Sequence, residues 1–341
     1  MLLQCAELLA YERQGYLVHR GLLSATRLAN LMPEVNQAWS AQQLDAHRQK
    51  LRVIIGEEEL LEIDNLSASP EVRLAALKGH LAQMPEGAIP FMQGFNLWRS
   101  CEVVRELASS PALAGTASQL LGARRVRLYQ DSLFVKRPGD GPTHWHSDLA
   151  MSPLDTNAFV TVWLPCQPVP AEKDGGSGLV FASGSHRDVG LHFWHSGGTS
   201  KPADASLRGY EEYSPGALAL GDATWHHGWT LHTASANPLP SARVALAFSF
   251  FADGATRLPR RSARQPHNED AESYAAWTVG DGAVLPGRQA RHPLLPLVWA
   301  DGKPKAITSP KRVNAGASVG AKTLASQPKK QRSRANLGKK S

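Results

Sequence analysis

Three residues that bind metals well sit at every second position of GPTHWHSDLAM, residues 141–151: His144, His146 and Asp148. On an extended strand, side chains two apart share a face, so His146 and Asp148 are placed to hold one ion together, with His144 placed to join them. Two neutral imidazoles and one carboxylate on one face of an octahedron suit a ferrous ion and leave the opposite face open. A third protein ligand has to come from elsewhere. The other histidine-rich stretch, GDATWHHGWTLHTASANPLPSARVAL, offers His226, His227 and His232. Taken alone, a His-x-Asp pair is weak evidence, and its surroundings have to strengthen it.

An ion that chelates 2-oxoglutarate needs a cation some distance away to hold the far carboxylate. Arginine suits this task because its planar fork meets a carboxylate through two parallel hydrogen bonds. Arg243 opens RVALAFSFF, a run that alternates like a strand, and it follows His232 by 11 residues across the turn-forming NPLP. The expectation is that His232 and Arg243 lie on neighbouring antiparallel strands and face one cavity.

The elements that must position these groups fall into two kinds. Residues up to about 122 read mainly as helices. In SPALAGTASQLLG, Ser110 is placed as N-cap and Pro111 at the first helical position, with Leu113, Ala114, Ala117, Leu120 and Leu121 on one face and Gly122 as terminator. A second helix is expected from Ser24 through RLANLMPEVNQAW, with Pro33 set against its interior. From residue 123 the chain turns to short β-rich runs: RVRLYQDSLFVK, NAFVTVWLP, SGLVFASG, GALALG and RVALAFSFF. Many short strands after a helical lead-in point to a mainly β sandwich or barrel braced by N-terminal helices.

Several of these segments together carry a family likeness. YERQGYLVHRGLL, LYQDSLFVKRPG, WHSD, NAFVTVWLP, GSGLVFASGSH and HTASAN followed by Arg243 resemble the phytanoyl-CoA dioxygenase family of Fe(II)- and 2-oxoglutarate-dependent oxygenases, over nearly all of residues 9–256. Singly none of these segments is specific; as a set they are. The resemblance implies a double-stranded β-helix, the jelly-roll or cupin-like core. It implies His146, Asp148 and His232 as the catalytic metal ligands and Arg243 as the clamp on 2-oxoglutarate. Lys136, Thr161 and Trp163 match positions that line the cosubstrate pocket in relatives. The implied reaction uses Fe(II), 2-oxoglutarate and O2 to hydroxylate a C–H bond of a small molecule, with release of succinate and CO2. Halogenases of this architecture replace the carboxylate with a small residue, so Asp148 favours hydroxylation.

Some residues depart from the pattern or stay open. Relatives commonly have proline where this chain has His144, which makes His144 the spare histidine. His227 matches a histidine seen in some relatives, where lining the cavity and packing are both open. His226 reads as structural, and His186 in SGSH as loop support. Relatives act on acyl thioesters, natural products and osmolytes, so no primary substrate is implied. The segments LAMSPLD and LHFWHSGGTSKP are the candidates to face it.

The bulk numbers bound the alternatives. A chain of 341 residues with 42% hydrophobic content can bury a core. No run is long and apolar enough for a membrane span, and the N-terminus lacks the basic start of a secretory signal. Three cysteines, Cys5, Cys101 and Cys166, are widely spaced and fit a reducing compartment. The formal charge is +7, from 37 basic and 30 acidic residues, but residues 302–341 hold 11 of the bases and no acid. The remaining 26 bases face 30 acids, so the body stands at −4. The expected organisation is therefore one oxygenase domain over 1–301, with a helical lead-in to 122 and a jelly-roll over 123–256, followed by a disordered basic tail over 302–341. A cytoplasmic location is expected, with PKKQRSR leaving a nuclear or nucleic-acid role open for the tail.

Three competing readings meet specific obstacles. An oxygenase acting on nucleic acid would give the tail a purpose, but the acidic body argues against a phosphate-tracking groove. A cupin using His144 and His146 would want a glutamate shortly after, and LAMSPLD has none. A catalytically silent binding protein on the same fold would have no need of intact ligands.

Overall fold

The alternation in RVALAFSFF and RVRLYQDSLFVK builds the centre of the molecule. A computed structural model describes residues 3–55, 57–64, 68–188, 209–259 and 275–308. The helices are α1 (Cys5–Gln14), α2 (Ala25–Ile55), α3 (Glu57–Asp64), α4 (Pro70–Ala82), α5 (Glu102–Ala108) and α6 (Thr116–Leu120). The strands are β1 (Tyr16–His19), β2 (Met92–Phe95), β3 (Arg125–Lys136), β4 (Thr143–His146), β5 (Leu154–Asp155), β6 (Phe159–Pro165), β7 (Leu179–Ala182), β8 (Glu212–Tyr213), β9 (Ala223–His227), β10 (His232–Ala234), β11 (Arg243–Ala252), β12 (Thr256–Arg257), β13 (Leu297–Ala300) and β14 (Lys303–Pro304).

The main sheet runs β1-β9-β6-β11-β3-β13-β14, with β2 also paired to β3, and a smaller sheet runs β4-β10-β7-β8. All these pairings are antiparallel, the jelly-roll arrangement. Strand alternation then divides the main sheet into two faces. Val160, Val162 and Leu164 of β6 and Leu246, Phe248 and Phe250 of β11 are fully buried in one core with Leu28, Val104, Leu107 and Leu113 of the helical layer. Each such side chain contributes about 1.5–3 kcal/mol of burial. The opposite face carries Thr161, Trp163, Arg243, Ala247 and Ser249, all of which line a chamber.

Helix α2 runs through Pro33 without a break. The missing N–H removes one ladder bond, while Leu28 and Val35 on either side are buried in the main core and Leu51 in a second cluster with Leu77 of α4. The segment after Ser110 is helical as expected, but Pro111–Gly115 is wound as a wider π-turn before α6 begins; the Ser110 hydroxyl accepts from Leu113 N, and Leu113, Ala114 and Ala117 are fully buried. Gly122 ends it at φ +58°. GALALG, expected as a strand, contributes only a single bridge from Leu218 to Val169, because Gly216 and Gly221 turn the chain on either side at positive φ.

The expected boundaries also shift. Strands β1 and β2 come from the helical lead-in, and β13 and β14 extend the sheet beyond residue 256. Lys303–Pro304 pair with β13 and Ile307 packs on the main core, so the first residues of the expected tail are part of the fold. Residues 309–341 lie outside the described residues, as does all of LHFWHSGGTSKP. No described helix is long and apolar enough to cross a membrane.

Candidate functional site

The chamber between the sheets, together with the solvent space at its mouth, takes in about 730 Å³. On the small sheet, His146 of β4 and His232 of β10 are direct cross-strand partners. Their rings lie 4.2 Å apart. Each is held from behind in the same way. His146 Nδ1 contacts the His144 carbonyl at 2.8 Å, and His232 Nδ1 contacts the Thr230 carbonyl at 3.0 Å. A carbonyl only accepts, so each Nδ1 carries the proton and each Nε2 presents a lone pair.

Asp148 does not extend strand β4, contrary to the strand reading of His146 and Asp148. The chain leaves the strand at Ser147, and Asp148 opens a short helical turn through Met151. That turn is docked by Gly228: Leu149 N donates to Gly228 O at 2.9 Å, and Gly228 N donates to Phe159 O at 2.8 Å. A Cβ at Gly228 would stand 2.9 Å from both Leu149 Cβ and Phe159 Cδ1, so this approach requires glycine.

The result is a three-residue cluster in which one atom each of His146, Asp148 and His232 lies within 4.8 Å of the others. Asp148 Oδ1 faces His146 Nε2 at 3.8 Å and His232 Nε2 at 3.7 Å. Burial lowers the pKa of both imidazoles, so they are neutral donors at physiological pH. Burial alone would raise the Asp148 carboxyl, but the His226 hydrogen bond and the neighbouring imidazoles outweigh it and hold Asp148 well below the usual carboxylate range. Two neutral imidazoles and an ionised carboxylate form a donor set that fits a divalent metal.

Arg243 lies on the main sheet, whereas His232 lies on the small one. They are not on neighbouring strands as the spacing suggested; they face each other across the chamber, which both line. NPLP carries the chain from one sheet to the other, and Asn237 braces that crossing through Nδ2 donations to Lys136 O at 3.0 Å and Ser241 O at 2.9 Å. Arg243 is 6% exposed, and its Nη1 donates to Ser177 O at 2.7 Å. Its guanidinium carbon stands 5.1 Å from the Trp163 ring. Its Nε is buried without a partner, and no carboxylate among the described residues pairs with it. Burial lowers Arg243 only to about 10, so it stays cationic. A buried cation with no counter-ion is costly and marks a place for an anion.

The remaining expected residues separate. Trp163 and Thr161 line the chamber. Lys136 does not: its Nζ donates to Pro90 O at 2.9 Å and to Gly141 O at 2.5 Å, tying strand β3 to two loops. Burial, then the Arg243 charge, lowers its pKa to about 7. His144 is exposed and contributes its carbonyl. His227 packs outside the chamber, where its N–H donates to Gly15 O at 2.8 Å and its ring lies 5.2 Å from His186. His186 in turn contacts Glu12 O at 3.0 Å, so this pair seats the end of α1.

The sequence reading missed two features. His226, read as structural, reaches Asp148 Oδ2 with Nε2 at 3.0 Å. Alternation along β9 was the available signal, because it turns His226 inward if His227 faces outward. The second is a bulge: Ser249 pairs with Gln130 and Phe250 with Leu128, which leaves Tyr129 as an extra residue. Both Tyr129 and Gln130 therefore line the chamber, which alternation alone does not foresee.

The model of the phytanoyl-CoA dioxygenase (PhyH) family matches residues 11–245. The chain belongs to the phytanoyl-CoA dioxygenase family. No curated protein matches this member. Its fold is shared with several solved structures. The non-heme alpha-ketoglutarate-dependent carbocyclase SnoK from nogalamycin biosynthesis is 21% identical at a TM-score of 0.59, over 86% of this chain and 96% of that one. The epimerase SnoN in complex with Fe3+, alpha-ketoglutarate and nogalamycin RO is 20% identical at 0.56, over 86% and 97%. EctD from S. alaskensis with 2-oxoglutarate and 5-hydroxyectoine is 16% identical at 0.54, over 89% and 86%. At these identities the likeness establishes the jelly-roll fold of this family member.

Proposed function

We propose that this protein is an Fe(II)- and 2-oxoglutarate-dependent dioxygenase that hydroxylates a C–H bond of an uncharged small molecule and releases succinate and CO2. One observation carries the reading: a buried arginine without a counter-ion among the described residues faces the same chamber as a His, Asp, His cluster. His146, Asp148 and His232 would hold the iron. Arg243 would take the far carboxylate of 2-oxoglutarate through its fork, with Trp163 against the guanidinium face. When bound, the iron supplies the oxygen chemistry that couples cosubstrate decarboxylation to substrate oxidation.

The chamber also supports a position for the primary substrate. Along β3, Gln130 precedes Lys136, the cross-strand partner of Arg243, by six residues, or roughly 20 Å of strand. The end away from Arg243 is lined by Tyr129, Gln130, Met151, Ser152 and Phe159. It is largely apolar, and among the described residues it carries no charged side chain beyond Asp148 itself. The Gln130 side chain is buried and its Oε1 has no partner among the described residues. That supports an uncharged substrate which offers a hydroxyl or N–H to Gln130, and it argues against phosphate-bearing substrates entering the chamber.

The test is succinate formation by the full chain in air with Fe(II) and 2-oxoglutarate, across a panel of neutral small molecules. The reading expects at least one compound to stimulate succinate and to gain one oxygen atom. Succinate that never exceeds the level of an Asp148→Ala control, with or without any compound, would refute it.

A further inference from the structure

Asp148 has two oxygens, and the protein treats them differently. Oδ1 faces the two ligand nitrogens. Oδ2 accepts from Thr161 Oγ1 at 2.6 Å and from His226 Nε2 at 3.0 Å. These two donors are themselves direct cross-strand partners on β6 and β9, and both residues are almost fully buried, at 4% and 2% exposed. A third residue backs them. Ser249, the partner of Thr161 on β11, lies 2.9 Å from the Thr161 hydroxyl. Since the carboxylate can only accept, Thr161 donates to Asp148 and must therefore accept from Ser249. One row across three strands thus points its donors along a single direction, at one oxygen.

His226 is distinguished from the ligand histidines by its other nitrogen. Nδ1 of His146 and of His232 each meets a carbonyl, which leaves Nε2 bare for a metal. Nδ1 of His226 is buried with no partner among the described residues. A buried N–H there would be orphaned, so the proton belongs on Nε2, pointing at Asp148. A protonated Nε2 is a donor and not a ligand, and His226 is absent from the three-residue cluster.

We propose that His226 and Thr161 are positioning residues that hold Asp148 to one-oxygen coordination of the metal. The inference rests on the dioxygenase reading above. An iron held by three protein atoms and a chelating cosubstrate would keep one position open. A carboxylate that gripped through both oxygens would fill it. The two donors keep Oδ2 engaged, and the β9-β6-β11 row fixes the donors.

Co(II) and Fe(II) binding to the full chain, measured anaerobically by competition with a chelating dye, tests this, together with the visible d–d spectrum of the Co(II) form. His226→Phe and Thr161→Val each remove one donor with little change in volume; His226→Gln and Thr161→Ser keep one. Removing either donor should weaken metal binding by about 10- to 100-fold and alter the Co(II) bands towards a higher coordination number, while the Gln and Ser variants stay close to the parent. Thr161→Val leaves the imidazole in place and serves if His226→Phe fails to fold. A parental spectrum and affinity unmoved by either removal would overturn this inference alone. Loss in both His226→Phe and His226→Gln as severe as in His146→Ala would make His226 a ligand and also overturn it. No metal binding by the parent would instead overturn the dioxygenase reading beneath it.

Discussion

Replacing Arg243 with leucine should produce two effects of opposite character. Arg243 is 6% exposed, and its guanidinium has one hydrogen bond to Ser177 O and no carboxylate partner among the described residues. A charge-assisted hydrogen bond contributes about 1.5–3 kcal/mol, and about 1.4 kcal/mol is a factor of ten in Kd. Arg243→Leu should therefore weaken 2-oxoglutarate roughly 10- to 150-fold. The free protein should not suffer in proportion. The variant loses the Ser177 bond and the contact 5.1 Å from the Trp163 ring, but it also removes an uncompensated buried cation, so stability should hold or rise. Arg243→Lys keeps the charge and loses the fork, and should fall between leucine and the parent. Calorimetric titration of 2-oxoglutarate into Fe(II)-loaded protein under argon gives the affinities, and urea unfolding gives the stabilities. A leucine variant with parental 2-oxoglutarate affinity would refute the clamp. One that loses several kcal/mol of stability with unchanged affinity would make Arg243 a structural residue.

Three further outcomes follow from the geometry. Gln130→Leu should raise the KM of whichever compound stimulates succinate by up to about tenfold, the worth of one neutral hydrogen bond, with 2-oxoglutarate affinity unchanged; an unaltered KM would remove Gln130 from the substrate end. Asp253 receives Arg127 at 2.6 Å, Arg125 at 2.9 Å and Arg291 at 3.2 Å, and although burial opposes it these arginines hold its carboxyl at about 2. Asp253→Asn should cost about 3 kcal/mol, the low end for breaking a buried pair because Arg125 and Arg291 are half exposed; metal binding should be untouched, and a loss below about 1 kcal/mol would contradict a structural role. Burial and then the nearby His186 lower His227 to about 4, below its unfolded value of about 6.5. Between those values the unfolded chain binds more protons, so stability falls as pH drops from about 6.5 towards 4. His227→Gln should flatten that slope in urea unfolding, and an unchanged slope would show that His227 does not titrate this way.

The core strands were legible because β6 and β11 alternate cleanly, with valine, leucine and phenylalanine on the helix side and Thr161, Trp163 and Arg243 on the chamber side. His146, Asp148, His232 and Arg243 were legible through motif and resemblance, and the structure gathers all four at one chamber. The route by which they meet was not. Asp148 reaches the site from a helical turn fixed by Gly228, a long-range contact that no local pattern encodes. NPLP looks like a hairpin turn in sequence, yet it carries the chain between sheets, and only tertiary pairing decides that. Lys136 was expected at the pocket because it matches a pocket-lining position in the family it resembles, but two nearby carbonyls draw its ammonium away. His226 was passed over beside His227, although neighbours on a strand face opposite sides and one of the two had to point inward.

The central claim is that two imidazoles, one carboxylate and one guanidinium meet at a single ferrous centre. Anaerobic addition of Fe(II) and then 2-oxoglutarate to the full chain measures this most directly, through the visible metal-to-cosubstrate charge-transfer band. The account predicts a band at one equivalent of each, absent in Asp148→Ala and requiring more 2-oxoglutarate in Arg243→Leu. Folded parent protein that gives no band, or an Asp148→Ala variant that gives the same one, would contradict it.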